Sequence, residues 1–214
     1  MKLYVYDHCP FCVKAQAIFG LKDLPFELVV MANDDAATPE RMIGRKMAPI
    51  LENDGRYTPE SMDIVRAVDA MTEPRVLVGP TNPDVARWIE EGSETLYRLA
   101  MPRWAAAPLA EFATDEARAF FTANKEKAIG PFAGRLAETE ALVAAANAHL
   151  RQLEPLVRSP EAVNGELSED DIHLFAHLRA MSIVRDVSYP PAVDAYRRRM
   201  SERTGVPLHD DIAA

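Results

Sequence analysis

Cys9 and Cys12 are the only cysteines in a chain of 214 residues, and they stand together in the segment Cys9-Pro10-Phe11-Cys12. A thiol attacks a disulfide only as its thiolate, and an ordinary cysteine with a pKa of about 8.5 is only a few per cent ionised at pH 7. The residues flanking the pair offer a remedy. Leu3-Tyr4-Val5-Tyr6 is a short aromatic and β-branched run, which predicts a strand. Val13, Ala17, Ile18 and Leu21 recur on one face of a helix predicted over Cys12–Leu21. Pro10 has no amide hydrogen and a fixed φ, so it suits the start of that helix. The free amides and dipole of the helix start then favour negative charge on the Cys9 sulfur. Cys9 is thus the expected nucleophile. Cys12, in the first turn, is expected to resolve a mixed disulfide formed on Cys9.

Other uses of these residue types fit less well. A lone Cys-x-x-Cys could supply half a zinc site, but zinc needs four ligands, or three and a water. No second cysteine pair exists, and His149, His173, His177 and His209 all fall late in the chain, so no metal is expected. An inert buried pair fits poorly with an electropositive helix start. His8 has two readings: a cation that stabilises the neighbouring thiolate, or a turn residue facing solvent. His173 and His177, at i, i+4 spacing, read as helix surface or satisfied packing. Trp88 and Trp104 read as anchors in a core or at a domain interface.

The elements that position the pair can be followed along the chain. Phe26–Val30 has the apolar character of a buried strand. Thr38-Pro39-Glu40-Arg41 carries an N-cap residue followed by proline at the first helical position. Pro49–Glu52 and Arg56–Thr58, joined by Asn53-Asp54-Gly55, predict a hairpin. Ser61–Met71 predicts a helix with Ile64, Val65, Val68 and Met71 on one side. The order is βαβ, a short helix, then ββα, which is a thioredoxin-like α/β plan. Residues 73–84, rich in proline, predict a linker.

From residue 85 the helical period dominates. Val85, Trp88, Ile89, Leu96 and Leu99 form one stripe; Leu136, Val143, Leu150, Leu153 and Val157 form another along one long helix. Leu167-Ser168-Glu169-Asp170-Asp171-Ile172 has the pattern of a reciprocal N-terminal cap with a hydrophobic staple. A last helix is predicted from about Ala192 to Arg203, stopping at Gly205. The division expected is 1–72, an α/β thioredoxin-like domain; 73–84, a linker; and 85–214, an all-α domain.

Bulk composition narrows the function. A net charge of −9 argues against nucleic-acid binding. The two basic clusters, Arg41/Arg45/Lys46 and Arg197-Arg198-Arg199, read as solvated surface. The N-terminus lacks the apolar region and cleavage site of a signal peptide. No uncharged apolar run approaches the roughly 18 residues of a membrane span. A cytosolic protein is expected, where a close cysteine pair reads as redox-active or metal-binding.

Tyr6-Asp7-His8-Cys9-Pro10-Phe11-Cys12 resembles the glutaredoxins. Met47-Ala48-Pro49-Ile50 resembles the loop in which thioredoxin-fold proteins set a cis-proline opposite the reactive sulfur. Pro59-Glu60-Ser61 resembles the Glu-Ser pair of the glutathione transferase fold. Asn164–Ile172 resembles the capped helix start common to those transferases. The likeness therefore spans nearly the whole chain, and suits the large, transferase-like bacterial glutaredoxins better than the small single-domain ones.

The resemblance implies glutathione as co-substrate and disulfide-containing or glutathionylated proteins as partners, in a monomer. It implies a glutathione seat made by Pro10, Phe11, Ala48, Pro49, Glu60 and Ser61. In that seat Glu60 and Ser61 hold the γ-glutamyl end, and the main chain of Ala48 holds the cysteinyl backbone. Phe11 stands where many glutaredoxins have tyrosine, and Ala48 where valine is usual. Two other readings stay open: a cysteine-type glutathione transferase or dehydroascorbate reductase using Cys9 alone, and a non-enzymatic glutathione-binding redox sensor.

Overall fold

The computed structural model describes all residues from Met1 to Ala214. Its first part runs β1 (Lys2–Val5), α1 (Pro10–Leu21), β2 (Glu27–Val30), α2 (Ala37–Ile43), β3 (Ile50–Asn53), β4 (Arg56–Pro59) and α3 (Ser61–Asp69). The four strands form one sheet in the order β2-β1-β3-β4. β1 pairs parallel with β2, Leu3 opposite Leu28, and antiparallel with β3, Leu3 opposite Leu51. The β3–β4 hairpin turns on Asp54 and Gly55, both at positive φ (49° and 74°), the conformation that a two-residue turn of primed type requires. Leu3 and Val5 of β1 are fully buried, with α1 packed on the strand, so the central strand fixes where α1 and its cysteines begin.

Two expectations need correction here. The Phe26–Val30 run is not a fully buried strand: β2 lies at the sheet edge, where Glu27 and Leu28 are exposed. Thr38 is not the N-cap of α2. The helix starts earlier, at Ala37, and the Asp35 carboxylate accepts the Thr38 amide at 3.0 Å, placing Pro39 inside the first turn.

The remainder is helical: α4 (Pro83–Ala106), α5 (Asp115–Ile129), α6 (Phe132–Ala137), α7 (Thr139–Leu153), α8 (Glu169–Met181) and α9 (Pro191–Thr204), with single 3-10 turns at Ala110–Phe112, Glu154–Leu156 and Asp210–Ile212. Asn82 caps α4 by accepting the Asp84 amide, and Pro83 occupies its first turn. The segment before α4 is pinned rather than loose. Lys22 donates to the carbonyls of Asp69 and Pro74, and the Asp69 carboxylate accepts the Val76 amide at 2.8 Å. The Ser168/Asp171 capping box of α8 forms reciprocally, and Asp171 also accepts the Val163 amide and the Tyr196 hydroxyl.

The long helix expected from Leu136 to Val157 is instead α6, α7 and a 3-10 turn. Pro155, which cannot donate an amide, sits where α7 gives way to that turn, and Leu136 is exposed. Arg197 also departs from expectation. It is buried, stacks over Tyr189 at 4.0 Å and bonds both Asp194 and Asp210.

One apolar core of 43 residues runs from Leu3 and Val65 through α1 to Leu150 and Met200, so the α/β and helical parts share their interior. α8 is the central post, buried on nearly every side between α1, α4 and α9. Close approach of α1 to α9 depends on Gly20. A Cβ added there would lie 1.9 Å from the Thr204 carbonyl oxygen. Alanine ordinarily stabilises a helix interior by roughly 1 kcal/mol over glycine. Here the obstacle is backbone, and Gly20→Ala is expected to cost about 2 kcal/mol through overpacking. A urea melt checks this; an unchanged or raised midpoint refutes it.

Candidate active site

Val5 ends β1, and Tyr6-Asp7-His8 carries the chain to Cys9, the N-cap of α1, with Pro10 in the first turn. Cys9 is half-buried, and Cys12, one turn on, is wholly buried, its sulfur accepting the Tyr6 amide at 3.3 Å. Both are free thiols. The two sulfurs are strongly differentiated. Burial, reinforced by the neighbouring Cys9, pushes the Cys12 thiol well above its usual value. The Cys9 sulfur is brought down to about 6, first by the hydrogen bond that Cys12 donates. Burial opposes that shift, and the His8 charge and the amides of Cys12 and Phe11 add to it. The helix amides emphasised by the sequence therefore contribute, but after the Cys12 thiol and His8.

The sign of the shift sets a pH dependence. A depressed value means that the thiolate persists down to about pH 6 and is lost as pH falls through it. Alkylation of Cys9 by iodoacetamide is expected to reach half its plateau rate near pH 6, and not near the 8.5 or so of a free thiol. A midpoint above 8 would exclude the ionised nucleophile.

A cleft of about 350 Å³ opens above the sulfur. Cys9, Tyr6, Lys46 and Ala48 line one wall, and Phe120, Asn124 and Lys125 of α5 line the other. The Ala48–Pro49 peptide is cis. Pro49 is buried, whereas Phe11 is half exposed and lines a separate hollow with Tyr97 and His173, under the Lys14 amine, 4.8 Å from its ring centre. Ser61 begins α3 and is buried; Glu60 before it is exposed, at φ 68°, with its carboxylate on Arg45 at 2.9 Å. Positive φ at a non-glycine residue costs of order 1 kcal/mol or more and is concentrated at binding sites.

His8 lies in the turn before α1 but does not face solvent. It is buried, its backbone amide donates to Glu111 Oε1 at 2.9 Å, and its ring Nδ1 lies 2.7 Å from the same oxygen. Trp104, Phe112 and Phe121 surround the ring at centroid distances of 5.0–5.2 Å. Trp104 thus does anchor an interface. Trp88 stacks on His149 at 4.5 Å. His177 is neither surface nor satisfied packing. Burial holds it neutral, with a pKa pushed down to about 3, and its Nε2 has no partner.

Sequence reasoning missed Glu111, the α5 wall and Lys46. Lys46, read as solvated surface, reaches back to the carbonyls of Asn33 and Asp35 and borders the cleft. The α5 wall had a signal: Thr114 followed by Asp115 and Glu116 is a helix start, and Thr114 caps the Ala117 amide at 3.1 Å. No group of three or more histidine, cysteine, aspartate or glutamate side chains is arranged to hold a metal ion. No helix is long and apolar enough to cross a membrane.

Comparison with known proteins bears on this arrangement. The family model described as "Glutaredoxin 2, C terminal domain" matches residues 84–213, and the one described as "Glutathione S-transferase, N-terminal domain" matches residues 3–75. Glutaredoxin 2 of Escherichia coli (strain K12) is 45% identical over 214 residues, covering 100% of both chains. The chain belongs to the glutaredoxin 2 family.

A solved glutaredoxin 2 from Salmonella typhimurium, in complex with glutathione, superimposes with a TM-score of 0.98 at 47% identity, covering 100% of this chain and 98% of that one. A glutathione S-transferase of Ceriporiopsis subvermispora, at 13% identity, shares the fold with a TM-score of 0.68 over 97% of each chain. The architecture is therefore a thioredoxin-like domain joined to the helical domain of the glutathione transferase fold. With this membership the chain is a glutathione-dependent thiol oxidoreductase.

Proposed function

We propose that Cys9 and Cys12 form a dithiol site that reduces glutathione mixed disulfides and protein disulfides. One observation carries the reading: an ionised sulfur at the floor of an open cleft, beside a buried sulfur that keeps its proton. On a glutathione mixed disulfide, the Cys9 thiolate attacks the glutathionyl sulfur. The Cys9–glutathione disulfide forms, and the other thiol leaves as its thiolate and takes a proton from water. A second glutathione thiolate then attacks that sulfur, releasing oxidised glutathione and restoring the Cys9 thiolate. On a protein disulfide, Cys9 forms the mixed disulfide, Cys12 loses its proton and attacks Cys9, and the protein leaves with both thiols reduced. Two glutathiones reduce the Cys9–Cys12 bridge. Glutaredoxin potentials of about −200 to −230 mV lie beside a cytosolic glutathione pool of about −220 to −260 mV, and 30 mV is about 1.4 kcal/mol, so the pool drives the cycle and leaves it reversible.

Pro10, Phe11, Ala48, Pro49, Glu60 and Ser61 form the glutathione seat in this reading. The Ser61 hydroxyl and the amides opening α3 suit the γ-glutamyl carboxylate. The Glu60 carboxylate suits the ammonium, which would share it with Arg45. Residues 1–72 carry the chemistry, 73–84 connect, and 85–214 supply the far wall of the cleft. The protein acts as a monomer in the cytosol, on disulfide-bonded or glutathionylated proteins, with neither nucleic acid nor membrane as partner. The test is steady-state NADPH consumption through glutathione and glutathione reductase on a small mixed disulfide. Sustained turnover is expected. A single stoichiometric oxidation without turnover would make the protein a sensor.

A further inference from the structure

The His8–Glu111 contact joins the nucleophile's neighbour to the helical domain across 103 positions of sequence. Glu111 is fully buried in the 3-10 turn at Ala110–Phe112, and its own carbonyl accepts the Asn33 amide at 2.9 Å, so the turn is tied to the α/β domain twice. A single carboxylate oxygen, Oε1, accepts from both the His8 amide and the ring Nδ1, while Oε2 has no partner. A carboxylate so enclosed is costly unless an opposite charge compensates it. The His8 ring, with Nδ1 2.7 Å from Oε1, is the one partner in direct contact that can carry that charge. Burial alone would push Glu111 up; the hydrogen bond and charge of His8 outweigh it and hold the group below the usual carboxylate range.

We propose that Glu111 is a positioning residue for the thiolate: by keeping the His8 ring charged and fixed beside Cys9, it lets the helical domain set how readily the nucleophile ionises. The inference rests on Cys9 being the nucleophile.

Other groups face the sulfur. Cys12 and Lys14 come from α1, Tyr6 from the end of β1, Tyr97 from α4, and Lys46 and Lys125 from the two walls of the cleft. Arg179 of α8 faces Glu111 and Cys12. None of these contacts the His8 ring with a carboxylate; Glu111 is the carboxylate in hydrogen-bond contact with it. An ionised Cys9 then sits beside a charge whose counter-ion belongs to another domain. The cost of ionisation is divided between the two domains.

Thiolate absorbance and iodoacetamide alkylation against pH, in wild type, Glu111→Gln, His8→Gln and the double variant, test this. Glu111→Gln keeps an acceptor for the His8 amide and removes only the charge. The ionisation midpoint of Cys9 is expected to rise by a unit or more, with alkylation at pH 6 slowing about five-fold, since the rate follows the thiolate fraction. His8→Gln is expected to give a similar rise, and the double variant no further one.

An unmoved midpoint in a Glu111→Gln protein that melts cooperatively overturns the proposal. An equal Glu111→Gln effect in the His8→Gln background also overturns it, because Glu111 would then act without the ring. Should Glu111→Gln fail to fold, nitrogen NMR of the wild-type ring at pH 7 decides: protons on both nitrogens support the proposal, and a neutral ring ends it. Absence of glutathione-coupled turnover in the wild type would instead strike the dithiol reading, and would leave the comparison of sulfur titrations intact.

Discussion

Cys9→Ser is expected to show no turnover above the uncatalysed exchange between glutathione and a small mixed disulfide. The loss should be a thousandfold or more, the rough scale on which removing a nucleophile acts. Cys12→Ser is expected to divide the activities. Reduction of a glutathione mixed disulfide needs one thiol, so most of that rate should survive; reduction of a protein disulfide needs the resolving thiol and should disappear. The variant also loses part of what stabilises the thiolate, because the Cys12 sulfur is the leading donor to Cys9. Its alkylation midpoint should therefore rise, although a serine hydroxyl can replace some of the bond. The measurement is the coupled assay on both substrates. Equal activity of Cys12→Ser and wild type on a protein disulfide, with conjugation of an electrophile, would favour a transferase using Cys9 alone.

The second large effect is expected at Arg179 of α8, which holds the motif loop at Asp7 as Glu111 does at His8. Its guanidinium is fully buried and donates to the Asp7 carbonyl, the Asp7 carboxylate and the Pro207 carbonyl at once. Asp7 also lies 3.5 Å from His209, and that ring together with the Arg179 charge holds its carboxyl well below the ordinary range despite burial. Arg179→Met would leave three acceptors without their donor. Breaking a buried pair from one side costs about 3–5 kcal/mol; since the Asp7 side chain is about a third open, the lower end applies. About 3 kcal/mol corresponds to a drop of roughly 6–12 °C in Tm for a chain of this size. Arg179→Lys should not restore it, because a point-like ammonium cannot serve three acceptors set out for a planar fork. Differential scanning calorimetry checks both, and a Tm within 2 °C of wild type for Arg179→Met would show the contacts to be incidental.

What could be read from the sequence was the local half of the site. Strand, proline and cysteine spacing lie within a dozen residues, and periodicity reports directly on α1. The cap at Ser168 and the turn at Asp54-Gly55 were legible for the same reason: each is a bargain among near neighbours. The edge position of β2 was not, since an apolar run says nothing of what covers it. Nor was the break between α6 and α7, where neither glycine nor proline marks Glu138. Glu111 and Arg179 act on His8 and Asp7 from 103 and 172 positions away. A charged residue in a helical segment ordinarily signals solvent, and only the fold reveals that these two point inward. Arg197 was misread by the same rule.

The interior shared between the two parts has a consequence for how the molecule fails. α1 is a middle layer, with the sheet and α3 on one flank and α8 and α9 on the other. No peripheral subset of residues can loosen around the cysteines while the rest endures. Hydrogen exchange of the α1 amides should proceed by whole-molecule opening, and heat should extinguish the reactivity of the sulfur in the same transition that melts the helices.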